Sequence, residues 1–202
     1  MRTGDDMEPS AWNARPQPTL RTARLVLRPL VPSDAPRVAE LAGDRAIADT
    51  TATVPHPYPE GPASAWIATH EPAWSAGQNV VFAIVPAGEE ALVGVVGLVL
   101  DLANERGSLG YWIGVPYWRL GYATEASRAV LDFGFGAIGL NRIEATHMVR
   151  NARSGRVMEK LGMAPEVVFR QRFRKWGAFE DVAQRAILRS EWRPASAISR
   201  GG

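Results

Sequence analysis

From Gly110 to Ala126 the chain reads Gly-Tyr-Trp-Ile-Gly-Val-Pro-Tyr-Trp-Arg-Leu-Gly-Tyr-Ala-Thr-Glu-Ala: an apolar strand-like run, a short turn and a helix start. Such a junction suits an anion, because the first helical turn leaves main-chain N–H groups unpaired and its dipole favours negative charge. Gly121 lets the backbone approach a diphosphate closely, and the small Ala123 does not block it. A second block runs Asn151-Ala-Arg-Ser-Gly-Arg-Val-Met-Glu-Lys-Leu-Gly162. Here Asn151 is placed to cap a helix. Ser154, Val157, Met158 and Leu161 share one face, while Arg153, Arg156 and Lys160 share a basic one.

Trp118-Arg-Leu-Gly121-Tyr-Ala123 resembles the acetyl-coenzyme A signature Gln/Arg-x-x-Gly-x-Gly/Ala of the GCN5-related N-acetyltransferase (GNAT) family, with Trp118 in place of Gln or Arg. The second block is similar to Asn-x-x-Ser-x-x-x-x-Glu-Lys-Leu-Gly-Phe of the branch that includes RimJ and RimL, which acetylate ribosomal-protein N-termini. The resemblance spans roughly Leu20 to Trp192. It implies acetyl-coenzyme A as donor, its phosphates held mainly by main-chain amides of Arg119, Leu120, Gly121, Tyr122, Ala123 and Thr124. Arg156 and Lys160 would face the phosphates, and Asn151 and Ser154 would lie near the pantetheine and thioester. Ile113 and Val115 are the candidates for pairing with the pantetheine arm as an added strand would.

The implied reaction is transfer of acetyl to a primary amine, either a peptide or protein N-terminus or a small molecule such as an antibiotic or polyamine. The rival of another class is a non-catalytic acetyl-coenzyme A-binding module. Many relatives carry a base Glu on the fourth strand and an acid Tyr in the later helix; the matching positions here are Ser108 or Leu109 and Met158. Ser154 is therefore the expected hydroxyl donor to the departing sulfur. Glu105, Glu144 and His147 stay open as bases, the last two on opposite faces of a strand. In the family layout the Pro-rich loop holding His56 and Tyr58 borders the acceptor side.

The elements that must position these groups read as mixed α/β. A strand near Leu25, a helix from Ser33 to about Ala42 and a helix from Ala63 to Trp74 precede a meander at 80–85, 92–100 and 109–115. An amphipathic helix from Ala123 to Phe135, a strand at 142–150, a helix at 152–161 and a hairpin of 167–174 with 182–188 follow. The expected fold is a GNAT-type central sheet, mostly antiparallel, flanked by helices and splayed between the fourth and fifth strands. Gly134-Phe-Gly-Ala-Ile-Gly139 follows a helix, the reverse of a dinucleotide-binding context, and reads as a helix end. Arg170, Arg172 and Arg174 are expected on one solvated strand face.

The 202 residues suffice for one domain, expected over 20–193 between a loose arm at 1–19 and a flexible tail at 194–202. With 23 basic against 21 acidic residues, no nucleic-acid footprint is expected. The absence of cysteine excludes disulfides, and the three histidines are scattered, so no metal site is expected. The N-terminus lacks an apolar signal core and no run reaches the roughly 20 residues of a membrane span, so a cytoplasmic location is the expectation; the family resemblance implies a monomer or homodimer.

Overall fold

The computed structural model describes residues 12–59 and 61–194. Eight strands form one sheet: β1 (Leu20–Arg21), β2 (Leu25–Pro29), β3 (Asn79–Pro86), β4 (Gly94–Asp101), β5 (Arg106–Ile113), β6 (Arg142–Met148), β7 (Ala164–Lys175) and β8 (Ala178–Leu188). Their spatial order is β1-β2-β3-β4-β5-β6-β8-β7, and only β5 with β6 is parallel. The short β1 was not anticipated, so the splay expected between strands four and five falls between β5 and β6.

Six helices cover the sheet: α1 (Ala35–Ala42), α2 (Arg45–Thr50), α3 (Pro62–Ala68), α4 (His70–Ser75), α5 (Tyr122–Phe133) and α6 (Ala152–Lys160). Period-two alternation in β3 sends Val80, Phe82 and Ile84 to the core under α5 and α6, while Ala83 and Val85 pack against α1 and α3. On α5, Ala126, Val130 and Leu131 are buried at helical spacing. Trp192 closes the far side of α5, its Nε1 donating to Asp132 at 2.8 Å.

Several expectations are corrected. The helix expected over 63–74 breaks at Thr69, because Pro72 lacks an N–H and is tolerated only in a first turn, which α4 supplies. α2 was not foreseen; Asp44 starts it by accepting the Ala46 N–H at 2.8 Å. The glycines after α5 do not end it at once: a π-helical turn spans Gly134–Ile138 before Gly139, at φ 88°, stops the chain. Residues 12–19 of the expected loose arm are bound to the body. Trp12 stacks edge-on against Trp74 at 4.8 Å, and Gln17 donates to the Val81 carbonyl at 2.8 Å. Residues 1–11 and 195–202 lie outside the described set. Strand alternation also fails at Arg170–Arg174, where the register shifts between Phe169 and Phe173 and Gln171 takes φ 52°. Arg172 there lies over the Phe169 ring at 4.7 Å.

Candidate functional site

α5 begins after a turn in which Arg119 (φ 67°) and Gly121 (φ 82°) both adopt the left-handed region. No side chain caps the helix that starts after Gly121, so its first-turn N–H groups are left without one. Among the described residues, no protein group accepts from the N–H of Arg119, Gly121, Tyr122, Ala123 or Thr124, while Leu120 closes the preceding turn; the first ladder bond is Glu125 N–H to Gly121 O. Glu125 would repel an anion from this first turn, but it is neutralised by the β1–β2 corner. Thr22 Oγ1 donates to it at 2.6 Å, and Arg24 donates through its main-chain N–H at 2.9 Å and Nε at 2.7 Å. Burial raises the Glu125 carboxyl pKa, but these donors outweigh it and hold the group below the usual carboxylate range. Arg24 also donates to the Leu120 carbonyl at 3.0 Å and covers the Tyr122 ring at 5.2 Å. Thr22 and Arg24 escaped the sequence reading, since nothing local marks a partner a hundred residues away.

Pairing of β5 with β6 runs from Arg106 with Arg142 to Leu109 with Ala145 and stops there. Beyond it, β5 stays on β4 and β6 stays on β8, so a V-shaped gap opens. The Gly114 N–H to Val93 O bond sets the ladder parity, which turns the main-chain groups of Tyr111 and Ile113 toward the gap. The two expected pairing residues are not equally free. Trp118 Nε1 donates to the Ile113 carbonyl at 2.6 Å, and the Trp118 N–H takes the Val115 carbonyl at 3.2 Å. The residue replacing Gln or Arg in the motif thus occupies both carbonyls from within, and Tyr111 supplies the strand edge instead.

At the inner end of the gap Asn151 caps α6, its Oδ1 accepting the Ser154 N–H at 3.2 Å. Ser154 Oγ lies 2.8 Å from the Tyr111 hydroxyl, a partner that sequence reasoning missed. Burial pushes the Tyr111 phenol up to about 12, only partly offset by Ser154, so it is a neutral hydrogen-bond donor. Arg153 stacks over Trp118 at 4.7 Å, bringing the basic face of α6 to the same mouth, with Arg156 and Lys160 exposed beside it.

None of the three open bases stands ready. Glu144 is held by Arg142 at 3.1 Å, Glu105 caps a turn at the opposite end of β5, and His147 Nδ1 bonds the Met148 carbonyl while its ring packs on Gly155. Among the described residues no cluster of three or more His, Cys, Asp or Glu could hold a metal ion. A cavity of about 630 Å³ lies at the other end of β2, against Leu30, Ile67, His70 and Trp74, away from this chemistry.

The Pro-rich loop and the helix before it are tied to the turn after β6 and to the tip of β7. Asp49 of α2 pairs with Arg150, which directly precedes Asn151, at 2.7 Å. Lys175 at the tip of β7 buries its Nζ to donate to the Thr51 and Val54 carbonyls at 2.9 and 3.2 Å. His56 Nδ1 reaches the Gly43 carbonyl at 3.0 Å, and Tyr58 packs among the α1–α3 core. Two charged hydrogen bonds of about 1 kcal/mol or more each order this loop. Lys175→Met is therefore expected to loosen this loop and lower Tm by roughly 2 to 5 °C, which a thermal melt checks.

A family model described as an acetyltransferase (GNAT) domain matches residues 24–164. The chain belongs to the GNAT acetyltransferase family. YnaD, an uncharacterized N-acetyltransferase of Bacillus subtilis, is 33% identical over 111 residues, covering 55% of this chain and 65% of YnaD. The match thus spans just under two thirds of that relative. Among solved structures, a GNAT-family acetyltransferase from Bacillus anthracis superposes with a TM-score of 0.76 at 28% identity, covering 86% of this chain and 99% of its own. The ribosomal-protein-S5-alanine acetyltransferase of Vibrio fischeri shares the GNAT fold, with a TM-score of 0.77 at 22% identity over 88% of this chain and all of that one.

Proposed function

We propose that this GNAT chain binds acetyl-coenzyme A and transfers the acetyl group to a primary amine. The observation that carries the reading is the run of unpaired N–H groups from Gly121 to Thr124, standing at the mouth of a gap that leads to Ser154. Gly121 supports the fit, because a side chain there would begin 3.3 Å from the Arg24 guanidinium that closes the cradle. Bound acetyl-coenzyme A would supply an acetyl group already activated as a thioester. Arg119 to Thr124 hold the diphosphate, Arg156 and Lys160 face its charge, and the Tyr111 strand edge pairs with the pantetheine amides. Ser154 presents its hydroxyl to the departing sulfur.

The occupied carboxylates support one class of acceptor. With Glu144 tied to Arg142, the site offers little help in removing a proton, and a lysine amine near 10.4 stays protonated at neutral pH. A peptide α-amine near 7.7 to 8.0 needs far less help, so a protein or peptide N-terminus is the favoured acceptor.

Thiol release from acetyl-coenzyme A across panels of peptides and small amines tests the reading. Release with peptide N-termini supports it; release only with small amines shifts the acceptor class; calorimetric binding without release on either panel favours the non-catalytic module. Because a thiolate leaves without full protonation, Ser154→Ala is expected to lower kcat roughly ten- to a hundredfold, less than the roughly hundred- to thousandfold cost of losing an oxyanion-hole donor. Wild-type kcat in that variant would remove Ser154 from the chemistry.

A further inference from the structure

We propose that Tyr111 is a positioning residue for Ser154: its phenol donates across the gap to Ser154 Oγ and so directs the serine's own hydrogen into the gap. The inference rests on the catalytic reading above. A serine hydroxyl has one hydrogen and two lone pairs. If that hydrogen were given to Tyr111, none would be left for a departing sulfur; if Tyr111 donates, Ser154 keeps it.

The geometry favours the second arrangement. The Tyr111 hydroxyl has two acceptors within reach, Ser154 Oγ at 2.8 Å and the Ser154 carbonyl at 3.1 Å. The carbonyl lies in the first turn of α6, where helix geometry already gives it the N–H four residues on. The shorter contact is the one to Oγ. Asn151 fixes the other side of Ser154 by accepting its N–H at 3.2 Å, so the backbone that carries the hydroxyl is itself anchored. Two elements far apart in the chain therefore converge on one oxygen: β5 through Tyr111 and the α6 cap through Asn151.

Tyr111 is also where the splay begins. It is the first residue of β5 beyond Leu109 whose main chain faces the gap, and its side chain leaves the strand on the α5–α6 side to pack against the main core. One residue thus offers its strand edge to the gap and its phenol to the group at the gap's inner end.

A double-mutant cycle with Tyr111→Phe, Ser154→Ala and the double variant tests this. The readouts are thiol release under saturating acetyl-coenzyme A and acceptor, KM for acetyl-coenzyme A, coenzyme A affinity by calorimetry, and Tm. Tyr111→Phe keeps the ring and its packing while removing the donor. The expected result is a kcat lowered about tenfold, KM and coenzyme A Kd within about twofold of wild type, and no further loss when the change is added to Ser154→Ala. A role confined to packing would lower Tm and leave kcat alone, or would lower kcat additively with Ser154→Ala. Either result overturns the inference while leaving wild-type turnover in place. Wild-type protein that binds coenzyme A yet releases no thiol overturns the catalytic reading itself, and this inference with it.

Discussion

Gly121→Val is expected to weaken coenzyme A binding roughly a hundredfold, measured by calorimetry, in a protein that keeps its far-ultraviolet circular dichroism. Gly121 sits at φ 82°, which a β-branched residue enters only at a cost of about 1 to 3 kcal/mol. Its Cβ would also lie 3.3 Å from Arg24 Nη2, the guanidinium that neutralises Glu125. The turn relieves both by rotating its peptide units, and those units carry the N–H groups proposed to hold the diphosphate. A loss of about 2.7 kcal/mol corresponds to the hundredfold change. Gly136→Ala serves as the comparison, because nothing lies within 4 Å of a Cβ there and its φ is ordinary, so affinity stays within about twofold. An unchanged Kd in Gly121→Val would place the phosphates elsewhere.

Asp34→Ala is expected to cost about 2 to 3 kcal/mol of stability, seen as a Tm lowered by roughly 5 to 10 °C. Asp34 accepts a two-pronged bond from Arg28 at 2.7 and 2.8 Å and the Val31 N–H at 2.9 Å, at the corner where β2 turns into α1. Removing it leaves the arginine half-buried without its partner. The estimate lies below the cost of breaking a fully enclosed pair because Arg28 still reaches water. Burial raises the Asp34 carboxyl pKa, but the Arg28 bond, the Val31 bond and the Arg28 charge together bring it below its ordinary value. A carboxylate with a lowered folded pKa adds stability that is complete above its unfolded value near 3.9 and is lost as pH falls through the folded value. Wild type should therefore lose part of its advantage over Asp34→Ala below about pH 4. Denaturant melts at pH 7 and pH 3 check the sign; a gap that is equal at both would assign the stabilisation to packing.

The same corner shows how far local sequence reaches. Features set by residues within about four positions were legible: the Asn151 cap on Ser154, the buried face of α5, the glycine turn at Gly121 and the basic face of α6. The mixed order of elements also followed from period and punctuation, whereas the gap near the Gly110–Ala126 block came only from the family resemblance. Where a local rule competed with another constraint, the reading failed. Pro72 split a periodic helix at Thr69, and a bulge at Gln171 broke the alternation assumed for the arginines.

What the sequence determined by itself was the chemistry available at each short segment, because caps, turns and amphipathic faces depend on neighbours along the chain. Which groups meet was decided only in three dimensions. Thr22 and Arg24 reach Glu125 across about a hundred residues, Tyr111 reaches Ser154 across 43, and Lys175 reaches Thr51 across 124. Each pairing depends on the order and register of strands, which side-chain spacing within one segment does not encode. It is that register, parting β5 from β6 after Leu109, that sets two readable motifs on either side of one gap, the proposed site.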